Sequence, residues 1–168
     1  MFKKFWSWYN KNTIFNSGIA SGLFTLQLVH LYWLTTTVVF LKLFGKSFFS
    51  PSPTFEFIIT IVDYTEIPAI IITSFMYINE LRSKFNTKSL LFLIFLNSQW
   101  IHMFWITDEF VIQKFTDQAY IALPTWLAWG AILIDYLELP VIFDTLKKFW
   151  WTLKNVNIQS AFERLKED

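Results

Sequence analysis

The chain contains no cysteine, only four glycines and five prolines, and charged residues fill just 16% of its 168 positions. Without cysteine there is no disulfide, no thiolate ligand and no iron–sulfur cluster, so any metal must be held by nitrogen and oxygen. Glycine-rich loops of the kind that cradle phosphates are absent, and no Ser, His, Asp nucleophile arrangement is recognisable. Histidine occurs only twice, at His30 and His102. The net charge of +1 leaves no broad basic surface, and nucleic acid is not an expected partner.

What the chain has in quantity is apolar residue, 54% hydrophobic and 21% aromatic, far from the soluble average. Four apolar stretches, near 19–43, 55–78, 90–112 and 120–146, each reach the ~20 residues a helix needs to cross ~30 Å of hydrocarbon. The expectation is an all-α integral membrane protein: a four-transmembrane-helix up-down-up-down bundle in a single membrane domain, 1–168. The first stretch is longer than the apolar region of a secretion signal and is expected to remain.

Basic residues place the ends. Lys3, Lys4 and Lys11 precede the first stretch, Arg82, Lys84 and Lys88 lie between the second and third, and five follow the fourth. Only Lys42, Lys46 and Lys114 fall in the opposite loops, so both termini are expected in the cytoplasm of a multi-pass protein of the cell or inner membrane. Segment 1–17, with aromatics among lysines, reads as interfacial. Segment 147–168 reads as an amphipathic helix on the cytoplasmic surface.

Two blocks, 19–80 and 90–146, repeat at a constant offset of 72 residues. Gln27, His30, Trp33 and Thr35 return as Gln99, His102, Trp105 and Thr107, while Asp63, Tyr64, Glu66 and Pro68 return as Asp135, Tyr136, Glu138 and Pro140. Each block holds two spans, so a duplication would relate the halves by a pseudo-twofold axis along the membrane normal. His30 and His102 fall near the centres of their spans, and the two Asp-x-x-Glu pairs lie in nearly the same layer. Positions i and i+3 share a helical face, so each pair aims both carboxylates one way.

A carboxylate at mid-membrane opposes insertion by ~2.5–3.5 kcal/mol, and four together by about 10–14 kcal/mol. No Lys or Arg stands near the middle of any span, and two protonated histidines supply at most two charges. Two divalent cations would balance the set. The candidate ligands are therefore His30, Asp63, Glu66, His102, Asp135 and Glu138. Four carboxylates with two histidines resemble, in count, the ligand inventory of ferritin-like di-iron and di-manganese bundles. The arrangement differs: those bundles use Glu-x-x-His on two helices, whereas here Asp-x-x-Glu occupies two and lone histidines the others.

Around this set, Gln27 and Gln99 are expected to orient ligands or to close hydrogen bonds between helices. Tyr64 and Tyr136, turned by ~100° from the adjacent aspartates, are expected to donate to a carboxylate. Trp33 and Trp105, one turn beyond each histidine, read as packing residues. Pro68 and Pro140 free the carbonyls of Tyr64 and Tyr136 and predict a kink in each helix.

Oxygen-rich ligation with one imidazole per ion favours iron, with manganese or zinc as alternatives. The leading expectation is a dinuclear carboxylate protein performing redox or oxygen chemistry on a lipid-soluble substrate. A divalent-cation or proton-coupled transporter is the main alternative. A zinc-dependent lipid hydrolase, a bis-histidine haem b protein and a metal-stabilised scaffold follow. Expected partners are membrane lipids, a hydrophobic small molecule and, as an option, a second copy in a homodimer.

Overall fold

A computed structural model of the chain describes residues 2–49, 52–112 and 124–167. Lys114, the loop to Gln118, the start of the fourth stretch at Tyr120 and the side chains expected to line the C-terminal segment beyond 156 lie outside what is described. Among the described residues there is helix and no strand. Helix α1 (Phe2–Lys11) meets α2 (Thr13–Trp33), which continues through a π-helical segment, Leu34–Val39, into α3 (Phe40–Phe44). Helices α4 (Pro53–Tyr64) and α5 (Glu66–Ser83) join end to end at Thr65. Then α6 (Thr87–Ile106) runs into a second π-helical segment, Thr107–Ile112, and α7 (Thr125–Glu167) is the last element.

The ends follow from local chemistry. Ser52 accepts a hydrogen bond from the Phe55 N–H at 3.3 Å, and Pro53 occupies the first turn, where its missing donor costs nothing. Asn86 caps α6 by accepting from the Lys88 N–H at 3.0 Å. Gly45 ends α3 with φ of 69°, a left-handed conformation that needs no Cβ.

Both π-helical segments begin where threonine hydroxyls turn back on the helix. Thr35 donates to the Leu31 carbonyl at 2.7 Å and Thr107 to the Met103 carbonyl at 2.8 Å. Such back-bonding competes with the backbone ladder, and in the first segment the β-branched run from Thr35 to Val39 crowds it further. The predicted kink at Pro68 takes the form of the interruption at Thr65. There the hydroxyl donates to the Val62 carbonyl at 2.6 Å while Pro68 leaves the Tyr64 carbonyl without its helical donor. At Pro140 there is no such interruption, and α7 passes through it as one helix. Leu137 stands where Thr65 would be and offers no hydroxyl to compete.

Helix α2 packs against α5 and α7, and α6 packs against the same two. The pairings run antiparallel. Phe5 lies 5.3 Å from Phe75 between ring centroids while Gln27 reaches Val62, and Ser89 bonds Glu80 while Tyr64 bonds Thr107. Core positions recur at the 72-residue spacing: Phe24 and Leu96, Ala69 and Val141, Ile70 and Ile142, and Thr73 and Thr145 are each at most 1% exposed. The exterior is apolar, with Phe15, Val29, Phe57, Ile61, Ile101, Phe104, Leu133 and Phe143 among its exposed side chains. Inside, a continuous apolar cluster adjoins an unusual number of buried polar side chains, so apolar surface and polar interior occur together.

Among the described residues, two helices are long and apolar enough to cross a membrane, Thr13–Phe44 and Trp126–Val156. The second expected stretch is divided at Thr65. Residues from 147 onward form no separate surface helix but extend α7, since neither glycine nor proline interrupts the chain from Val141 to Glu167. Lys148 fastens this extension to Asp144 at 2.7 Å and Glu80 at 2.6 Å. At the other end α1 packs on α5, with Arg82 stacked 4.2 Å over the Trp6 ring.

Candidate metal centre

The six predicted ligands are all buried, none more than 7% exposed. Helix α2 carries His30, the last turn of α4 carries Asp63, and the first residue of α5 is Glu66. Helix α6 carries His102, and α7 carries Asp135 and Glu138. The break at Thr65 therefore falls between two of the candidate ligands.

Each imidazole turns Nδ1 toward the aspartate 33 residues further along the chain: His30 contacts Asp63 Oδ1, and His102 Nδ1 lies 2.8 Å from Asp135 Oδ1. Asp135 also reaches across, its Oδ2 3.8 Å from His30 Nε2, and the two imidazole centroids are 6.1 Å apart. Ligand atoms of His30, His102 and Asp135 all lie within 4.8 Å of one another, an arrangement that can hold a metal ion. The carboxylates of Asp63, Glu66 and Glu138 fall outside that triad. Asp63 joins it through His30, and Glu66 is near enough to Glu138, Asp135, Asp63 and His30 to feel their charges.

Beyond these imidazole–carboxylate contacts, both nitrogens of His30, Nδ1 of His102, Oδ1 of Asp63 and Oδ2 of Asp135 have no other hydrogen-bond partner among the described residues, and Oε1 of Glu66 and of Glu138 is buried with none. Buried polar atoms are nearly always paired, and buried charges are paired or bind metals. Among the described residues, no lysine or arginine forms an ion pair with any of the four carboxylates. The donor set, two imidazoles and four carboxylates, is the chemistry that divalent first-row ions take.

The glutamines act on the backbone. Gln27 Nε2 donates to the Val62 carbonyl at 3.0 Å and to Thr65 Oγ1 at 3.1 Å, and Gln99 Nε2 donates to the Ile134 carbonyl at 2.8 Å. Each thus fastens the residue just before an aspartate to the helix that carries a histidine. The tyrosines depart from expectation: neither phenol goes to a carboxylate. Tyr64 pairs with Thr107 at 2.9 Å and Tyr136 with Thr35 at 2.6 Å. Since each threonine spends its proton on a backbone carbonyl, the tyrosines donate. The ~100° turn between neighbours on a helix carries the rings away from the aspartates and onto the π-helical segments.

Trp33 and Trp105 line a cavity that opens beside the two histidines. Sequence reasoning missed this cavity and the π-helical segments. Its only advance sign was the run of threonines after His30. Comparison with protein-family models, curated proteins and solved structures finds no match to this chain.

Proposed function

We propose that the chain is a four-span membrane protein, built from a duplicated helix pair (19–80 and 90–146), whose core holds a dinuclear metal centre for redox or oxygen chemistry on a lipid-soluble substrate. The observation that carries this reading is the convergence of His30, His102 and Asp135, whose buried polar atoms meet one another and the Asp63 carboxylate and find no other hydrogen-bond partner among the described residues. Recurrence of the His–Asp approach, the Gln–carbonyl bond and the Tyr–Thr bond at one spacing supports the duplication. Apolar side chains on the outside of every long helix support the four spans.

His30, His102 and Asp135 would hold the ions first, with Asp63, Glu66 and Glu138 completing their shells and neutralising their charge. A bound pair of iron or manganese ions supplies electron transfer and oxygen activation, and zinc would supply Lewis acidity instead. The chain's own part is to orient both imidazoles, to exclude water and to admit substrate from one side. The carboxylate of Asp135 reaches between the imidazoles, which disfavours a porphyrin there.

Elemental analysis of protein purified from membranes of its native host tests the proposal. The expected content is about two divalent ions per chain, the number that offsets four buried carboxylates. His30→Ala and Asp135→Asn should each remove most of it while the helical circular dichroism persists. Metal-free wild-type protein that is folded and resists loading by iron, manganese and zinc would overturn the reading. Uptake of the same ions into sealed liposomes, if observed, would favour transport over catalysis.

A further inference from the structure

From the two histidines a cavity of about 320 Å³ extends between the α2–α3 helix and the first turns of α7 as far as Lys42. Its floor is polar, and its walls are Trp33, Leu34, Val38, Leu41, Trp105 and Ile132. At ~1.5 Å per residue, Lys42 stands roughly 18 Å along the helix from His30. That lysine is exposed and, among the described residues, makes no ion pair.

The room comes from two small residues, Ala128 and Ala131. At the positions 72 residues earlier stand Glu56 and Ile59. Ile59 is only 2% exposed and packs into the core. The two halves thus match at the candidate ligands and differ at this wall, with space left on the α7 side.

We infer that this cavity binds a single-chain amphiphile with one anionic head, seated with the head on Lys42 and the chain laid along the apolar wall toward the imidazoles. The inference rests on the proposed metal centre only for its consequence, which is that the apolar chain, not the head, is the part presented to the ions. An apolar tunnel of this volume suits a small ligand. A cation at its rim selects an anion, and a neutral head would leave the ammonium unmatched.

The full-length protein in phosphatidylcholine nanodiscs, whose lipids carry no net charge, provides the test. Radiolabelled palmitate, lysophosphatidate and palmityl alcohol are each titrated, and metal content is measured on the same samples. At least one anionic probe should saturate at one per chain, and the tighter of the two identifies a carboxylate or a phosphate head. Lys42→Gln should weaken it about tenfold, equivalent to ~1.4 kcal/mol, with palmityl alcohol unaffected.

Ala131→Phe should abolish binding of every probe with metal content unchanged, and Ala128→Leu serves if that variant does not fold. Equal affinity for palmitate and palmityl alcohol, or undiminished binding in both filled variants, would overturn the inference. The two readings fail separately: lipid binding without metal in the wild type overturns the metal centre, whereas metal without saturable lipid binding overturns the cavity assignment.

Discussion

At the level of single residues, the interior is organised by pairs that each connect two helices. Gln27 and Gln99 hold backbone carbonyls, the histidines face aspartates, and the tyrosines donate to threonines. Composition and spacing were enough to single out the histidines and carboxylates as candidates, because an ionisable group in an apolar interior needs a counterpart. The partners of Tyr64 and Tyr136 were not legible, since they depend on how neighbouring helices are rotated. The tyrosine assignment has its own test. Tyr136→Phe should leave metal content intact and lower stability by about 1 kcal/mol, the net contribution of one hydrogen bond. Loss of metal from this variant, measured beside a thermal melt, would return the phenol to the ion shell.

Among the elements, three departures from regular α-helix matter, and all lie close to the candidate ligands. The π-helical segments begin four or five residues beyond His30 and His102, and the interruption at Thr65 separates Asp63 from Glu66. Irregular turns of this kind often accompany functional sites. The proline pattern predicted two kinks, yet only one helix breaks, because Pro68 acts together with the Thr65 hydroxyl whereas Pro140 has Leu137 beside it. Thr65→Leu combined with Pro68→Ala should restore a continuous helix, rotate Asp63 against Glu66 and lower metal retention several-fold. Pro140→Ala should change retention little. Equal retention in the two variants, measured after dialysis against a weak chelator, would show that the break has no part in the site.

Across the whole molecule, the polar centre is flanked by ends of different character. One end is held by Asp144, which binds Lys88 at 2.6 Å, Lys148 at 2.7 Å and the Tyr77 hydroxyl at 3.0 Å. Asp144→Asn should therefore destabilise the bundle by about 1–3 kcal/mol without loss of metal, as read from melting and elemental analysis. Near the same end, burial and, secondarily, the charge of Glu80 push the Tyr9 phenol from 10.0 up to about 12. The neutral phenol is thus favoured in the folded state. Its contribution is complete below pH 10 and disappears as pH rises through about 12. Tyr9→Phe should flatten the alkaline limb of the stability profile, and an unchanged limb would assign the loss to other groups.

The sequence by itself determined the all-helical, apolar character of the chain, the spacing that recurs between its two parts and the six residues worth testing as ligands. These are properties of composition and period, and both are written along the chain. Tertiary structure decided which aspartate meets which histidine, where the tyrosines donate, that one proline breaks its helix while the other does not, and where a cavity opens. Those outcomes depend on side-chain volume and helix rotation across an interface, and Ala131 on the cavity wall where Ile59 packs the core is a difference that only the folded molecule turns into space.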